Sequence, residues 1–102
     1  MGLMKQAAQL QSKMQELQAE LDTIEVEGSA GGGMVRVMFN GLQEAVDVKI
    51  DPQVLKDEGP EFVQEMVLAA VRQGLAKSKE LGDAERAKVT GKLGLPGLEG
   101  MI

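Results

Sequence analysis

Apolar residues recur at alternating steps of four and three along the first 24 residues of the chain. They are Leu3, Ala7, Leu10, Met14, Leu17, Leu21 and Ile24. This spacing forms a heptad seam on an amphipathic helix, and the Gln, Lys and Glu residues between these positions leave the apolar stripe narrow. We therefore predict a helix over residues 1–23. Its seam either lies across the protein's own sheet or packs between two subunits.

The apolar period changes to two after Thr23, where Ile24 and Val26 alternate with Glu25 and Glu27. Such alternation is typical of a β-strand, so a first strand is expected here. The glycine-rich residues 28–33 follow. They lack the Gly-Lys-Ser/Thr ending of a phosphate-binding loop and are interpreted as a flexible connection between strands.

Residues 34–40 and 42–50 predict a β-hairpin about Asn40-Gly41, a dipeptide that favours a two-residue type I′ turn. A turn of this length predicts three cross-strand pairs: Phe39 with Leu42, Val37 with Glu44, and Val35 with Val46. The glutamate in the second pair interrupts an otherwise apolar face. Either the hairpin contains a bulge or Glu44 lies at the exposed end of the sheet. The predicted sheet therefore occupies residues 24–51 and is antiparallel.

The remainder of the chain, over residues 52–90, is predicted to be helical. Asp51 before Pro52 is the sequence of an N-cap followed by proline at the first helical position, and Pro60 begins a long last helix. Gly82 leaves open whether that helix continues or restarts. Residues 91–102 are rich in glycine and predict a flexible tail.

Residues 66–71 are apolar on every side of the last helix. One face of a small sheet covers only one of these sides. A partner subunit is the simplest source of the missing contact, and small residues would let its backbone approach closely. The predicted dimer interface comprises Met66, Val67, Ala70, Val71 and Gly74.

The residue inventory argues against catalysis. The 102-residue chain has the length of one domain and contains neither histidine nor cysteine, so the commonest general base and the usual metal ligands are missing. Serine occurs only at Ser12, Ser29 and Ser78, and without histidine none of them can form a Ser-His triad. We expect no enzyme, no cofactor, no metal site and no small-molecule substrate. No transmembrane stretch and no signal-peptide pattern is present, so we expect no membrane partner and a cytoplasmic location.

The net charge of −5 does not by itself favour a nucleic-acid partner, but it is unevenly distributed. Residues 72–102 hold six basic and four acidic side chains, whereas residues 1–71 have a net charge of −7. On a continuous helix, Arg72, Lys79 and Arg86 are seven residues apart and lie on one face. This basic edge is either an ordinary solvated face or a surface for an anionic partner.

Several segments, in this order, resemble the YbaB/EbfC family of bacterial nucleoid-associated proteins. They are Leu3-Met4-Lys5-Gln6-Ala7, Gln11-Ser12-Lys13-Met14-Gln15, Val35-Arg36-Val37, Asn40-Gly41, Val48-Lys49-Ile50-Asp51-Pro52, Val67-Leu68-Ala69-Ala70-Val71, Val89-Thr90-Gly91 and Leu95-Pro96-Gly97-Leu98. The resemblance implies an α+β fold with an N-terminal helix, a three-stranded antiparallel sheet and a long C-terminal helix. It also implies a tweezer-shaped homodimer whose helical arms grip duplex DNA, with a role in nucleoid organisation and gene regulation.

The basic side chains on the two long helices are the candidate DNA contacts. They are Lys5, Lys13, Arg72, Lys77, Lys79, Arg86 and Lys88. No recognition helix, zinc module or RNA-binding signature is present, so binding is expected to be mainly through phosphates. The main alternative is a non-catalytic dimeric adaptor whose heptad helix binds another protein.

Overall fold

A three-stranded antiparallel sheet and two long helices make up the protein. The computed structural model describes the backbone of residues 2–92 and the side chains as far as residue 91. The elements are α1 (Gly2–Thr23), β1 (Glu25–Ala30), β2 (Val35–Asn40), β3 (Ala45–Ile50), α2 (Pro52–Asp57) and α3 (Pro60–Lys92). The strand order is β1-β2-β3. The α+β class, the N-terminal helix, the three-stranded antiparallel sheet and the long C-terminal helix are thus confirmed.

The core lies between the sheet and the first half of α3. Val35, Val37 and Phe39 alternate along the central strand β2, and all three are buried under the helix. Met66 and Ala70 of α3 pack against them, and Val54 of the short helix α2 completes the buried cluster. The period-two pattern that predicted this strand therefore also selects its buried face.

Two glycines allow α3 to lie unusually close to the sheet. A Cβ atom on Gly28 would overlap the backbone oxygen of Ala70, and one on Gly74 would lie 2.6 Å from the Phe39 ring. The prediction that Gly28 begins a loop is wrong, because β1 continues through Ala30. The missing side chain at position 28 provides space for the helix, and the turn is confined to the following residues, where Gly31, Gly32 and Gly33 have positive φ angles.

The hairpin register differs from the predicted one. Phe39 pairs with Ala45 and Val37 pairs with Val48, with a register shift beside Phe39. The predicted pairs of Phe39 with Leu42, Val37 with Glu44 and Val35 with Val46 are therefore wrong, whereas the bulge offered as one explanation is present.

The turn itself explains the error. Its positive φ angle is at Gln43, not at the Asn40-Gly41 dipeptide. The backbone amide of Asn40 donates a hydrogen bond to the backbone oxygen of Glu44 at 3.0 Å. Gly41 instead donates its amide to the Leu21 backbone oxygen at 2.8 Å, and a Cβ at this position would lie 2.8 Å from the Leu21 side chain. This glycine is needed for contact with α1 rather than for a type I′ turn.

The helix boundaries largely follow the predictions. The Asp51 side chain accepts a hydrogen bond from the Gln53 amide at 2.9 Å, as expected of an N-cap. Helix α3 continues through Gly82 without a break and ends at Lys92, two residues beyond the predicted limit at residue 90. The rest of the predicted tail, residues 93–102, lies outside the described residues.

Three of the five predicted dimer-interface residues are buried within their own subunit. Met66 packs against Gly31, Ala70 is fully buried against the sheet, and Gly74 lies against Phe39. The close approach of helix and sheet already covers these three residues, which leaves them little surface for the partner contact predicted for them. Val67 and Val71 lie at the edge of the core and remain partly exposed.

Candidate nucleic-acid interface

Helix α1 and the second half of α3 pack together and extend away from the sheet. We call α1 and residues 78–92 of α3 the arm. Leu17 and Leu21 are the buried residues of α1, and they lie in the groove beside Arg86 of α3. The second half of the heptad seam thus packs on α3 of its own chain, whereas Leu3 and Ala7 in its first half are exposed. The resulting molecule is elongated, at 66 × 21 × 16 Å.

The arm is joined to the sheet through the β2–β3 turn. Ser78 of α3 donates a hydrogen bond to the Asn40 backbone oxygen at 2.7 Å and accepts one from the Gln43 amide at 2.9 Å. The Asn40 side-chain amide donates to Glu44 at 2.7 Å and to Asp22 of α1 at 3.3 Å. Both helices of the arm are therefore held at one buried joint.

Sequence reasoning missed the role of Ser78 and assigned Asn40 only to the turn. The sequence around these residues does not identify their partners, since the partners lie 38 and 18 positions away along the chain. The polar serine within an otherwise apolar helix face is the only signal that could have indicated a buried hydrogen bond.

The candidate lysines on the arm are exposed but mostly paired with neighbouring carboxylates. On α1, Lys13 lies 3.4 Å from Glu16. On α3, Lys88 lies 3.0 Å from Glu85. Exposed pairs of this kind contribute little to stability, so the lysines can exchange a carboxylate for a phosphate at low cost. Lys5 lies near the tip of α1 and is exposed.

Asp83 joins two further candidates. Its Oδ2 lies 3.1 Å from the Lys79 amine and its Oδ1 lies 3.1 Å from the Arg86 guanidinium. The Lys79 side chain is 65% exposed, whereas that of Arg86 is only 26% exposed because it lies in the groove beside α1. Lys79 is thus the more accessible of the two.

The remaining two candidates lie beside the sheet rather than on the arm. The Lys77 amine donates to the Glu27 backbone oxygen at 3.0 Å, and one turn earlier Gln73 accepts from the Ser29 amide at 2.8 Å. The side chains of Lys77 and Gln73 therefore satisfy backbone groups on the outer edge of β1, which protects that edge from pairing with another strand. Arg72 is exposed on α3, before the arm begins.

An apolar surface is left open beside α3, over the edge strand β3. Val48 pairs with buried Val37 and therefore faces the same side as α3, yet Val46 and Val48 are 50% and 51% exposed. On α3, Leu68, Val71 and Leu75 recur at helical spacing on the side opposite to Gln73 and Lys77. We call these five residues the open apolar surface; they are Val46, Val48, Leu68, Val71 and Leu75.

Within residues 2–92, no group of His, Cys, Asp or Glu side chains could hold a metal ion. The same part of the chain contains no helix long and apolar enough to cross a membrane. A cleft of about 210 Å³ between α1 and α3 is lined by charged side chains of the arm, among them Lys13 and Lys88. What the arm offers chemically is a set of exposed ammonium groups interspersed with carboxylates, since residues 2–23 and 78–92 contain six basic and six acidic residues.

Comparisons with known proteins agree with this architecture. Residues 1–93 match the YbaB/EbfC DNA-binding family. A nucleoid-associated protein of Syntrophobacter fumaroxidans is 48% identical over 94% of this chain and 87% of its own length. One of Bradyrhizobium sp. strain ORS 278 is 46% identical over 94% of this chain and 91% of its own. The crystal structure of an uncharacterized protein, HP0035, from Helicobacter pylori has a TM-score of 0.66 and 28% identity, covering 82% of this chain and 84% of that one. The chain therefore belongs to the YbaB/EbfC DNA-binding family.

Proposed function

We propose that the protein binds duplex DNA as a homodimer, mainly through phosphate contacts, and acts in nucleoid organisation and gene regulation. The observation that carries this proposal is the arm, which holds exposed lysines away from the acidic remainder of the chain. Lys13, Lys79 and Lys88 belong to a helical pair that extends from the sheet. The names of the relatives support a place in the nucleoid, and hence in the cytoplasm.

Phosphate contacts fit this surface better than base readout. The arm lysines are flexible point charges, and neither aromatic residue of the chain lies on the arm, since Phe39 is buried in the core and exposed Phe62 lies at the start of α3. Side chains of this kind follow the backbone of any duplex and carry little sequence information. Affinity is expected to be modest, because the body of the protein is acidic and repels DNA.

The open apolar surface supports the proposed homodimer. Val46 and Val48 lie on edge strand β3, on the same face of the sheet as α3. The helix covers that face over β1 and β2 but not over β3. Burying large aliphatic side chains stabilises an association by roughly 25 cal/mol per Å² of apolar area, before the cost of association is subtracted. A second copy packed against this surface leaves both arms free. The two arms then present related basic surfaces to one duplex.

Titration of a labelled duplex at about 50 mM and about 200 mM salt tests the proposal, since counterion release makes phosphate binding strongly salt-dependent. We expect binding at the lower concentration and a clear loss of affinity at the higher one. Absence of binding at both concentrations would contradict the proposal.

A protein adaptor is the second candidate. Leu3 and Met4 at the tip of α1 are among the most exposed large apolar side chains, and such residues also suit a protein partner. The same titration separates the two functions, because an adaptor predicts no DNA binding at either salt concentration.

A further inference from the structure

One carboxylate on the arm holds two of the candidate DNA-binding cations at once. Asp83 contacts Lys79 through Oδ2 and Arg86 through Oδ1, each at 3.1 Å. The three residues are adjacent on the helix surface, because Lys79 lies four positions before Asp83 and Arg86 lies three positions after it. No other carboxylate within residues 2–91 bridges two of the candidate cations.

A DNA phosphate would need the same position. Phosphate, like carboxylate, presents two oxygen atoms that can each accept a hydrogen bond from one of two neighbouring cations. The Asp83 side chain is 51% exposed and Lys79 is 65% exposed, so a duplex backbone can approach the pair from solvent. Arg86 is mostly covered beside α1 and is therefore held in place rather than free to move toward a phosphate elsewhere.

We propose that Asp83 is an internal competitor of DNA phosphate that limits the affinity of the arm. This inference rests on the proposed function and goes beyond it, because it assigns a regulatory residue to the DNA-binding surface. When Asp83 is paired, its single negative charge offsets one of the two positive charges and occupies a hydrogen-bonding group of each cation. A bound phosphate must displace the carboxylate and then remains close to its negative charge.

The weakness of exposed ion pairs makes such competition possible. A pair of this type contributes little to folding, so exchange between carboxylate and phosphate does not require the helix to unfold. The competition lowers affinity without removing the basic side chains. Each contact is therefore weak, and binding becomes strong only when several arms occupy one duplex.

Asp83→Asn tests the proposal, with Glu80→Gln as the matched control. Both variants remove one negative charge from the same helix, but Glu80 forms none of the ion pairs found within residues 2–91. We expect Asp83→Asn to bind a duplex of about 25 bp roughly three- to tenfold more tightly than the wild-type protein at about 50 mM salt, and Glu80→Gln less than about twofold more tightly. The salt dependence should also become steeper, by about 0.9 in log–log slope for each additional phosphate that the protein neutralises.

A Lys79→Gln background checks the route of the effect. If Asp83 acts by holding Lys79 and Arg86, the gain from Asp83→Asn shrinks when Lys79 is absent. Circular dichroism and the mass in solution should be the same for all variants, so that the comparison concerns folded protein of equal assembly.

The outcomes separate this inference from the function on which it rests. If the wild-type protein binds DNA in a salt-dependent way but Asp83→Asn and Glu80→Gln give equal affinities and slopes, Asp83 is not a competitor and only the inference is overturned. An undiminished gain in the Lys79→Gln background also overturns it. If no variant binds DNA at about 50 mM salt, the proposed function fails together with the inference.

Discussion

The hydroxyl group of Ser78 lies 2.7 Å from the backbone oxygen of Asn40, to which it donates a hydrogen bond across the boundary between α3 and the sheet. The same hydroxyl accepts a hydrogen bond from the Gln43 amide at 2.9 Å, and the Ser78 side chain is fully buried. A single small polar residue thus fixes the position at which α3 leaves the sheet and the arm begins.

Replacing Ser78 with alanine is expected to destabilise the protein by about 1–3 kcal/mol, because it leaves the Gln43 amide and the Asn40 oxygen without this partner in a buried place. Urea denaturation followed by circular dichroism measures the loss. Ser12→Ala is the matched control, since Ser12 is exposed on α1. Equal midpoints for the two variants would show that the Ser78 joint contributes nothing to stability.

Gly28→Ala should destabilise the fold by about 1–3 kcal/mol or more, since the added methyl group overlaps the Ala70 backbone oxygen and forces α3 away from β1. Thermal unfolding of Gly28→Ala and Gly59→Ala provides the comparison, because a Cβ at Gly59 would have no heavy atom within 4 Å. We expect Gly59→Ala to be neutral or slightly stabilising. A wild-type melting temperature for Gly28→Ala would contradict the close packing of helix and sheet.

Val48→Glu should convert the proposed homodimer into a monomer, because it places a charge at the centre of the open apolar surface. The mass from light scattering after gel filtration reports the change directly. Gln43→Glu introduces the same charge at the exposed β2–β3 turn and should leave the dimer intact. If Val48→Glu remains dimeric, the two subunits meet elsewhere.

The double variant Lys79→Gln/Lys88→Gln should weaken DNA binding by at least about tenfold at low salt, because a dimer loses four potential phosphate contacts. The double variant Lys49→Gln/Lys56→Gln makes the same change of charge on β3 and α2, away from the arm. Fluorescence anisotropy with one duplex ranks the two. Equal losses would mean that general charge, and not the arm, determines affinity.

Those parts of the fold that depend on local periodicity could be predicted from the sequence. The heptad spacing of α1, the alternation in β2 and the Asp51-Pro52 cap each act within a few residues, and each is present. The hairpin register could not be predicted in this way, because Gly41 is required by contact with Leu21 and not by its own turn. The loop prediction for Gly28 fails for the same reason, since its strand position depends on the contact with Ala70.

The candidate site was predictable in composition but not in arrangement. Basic residues on a long helix are visible in the sequence, and their i,i+3 and i,i+4 carboxylates are visible beside them. The contact of Lys77 with the β1 edge and the partial burial of Arg86 against α1 depend on how α3 packs on other elements. These contacts leave Lys5, Lys13, Lys79 and Lys88 as the more accessible candidate cations of the arm.

Sedimentation of the protein with one short duplex at low salt tests the central claim most directly, because it measures assembly and DNA binding in the same sample. A complex that contains two chains for each duplex and separates as salt is raised is the predicted result. A single chain on the duplex, or a dimer that sediments apart from the DNA at low salt, would contradict it.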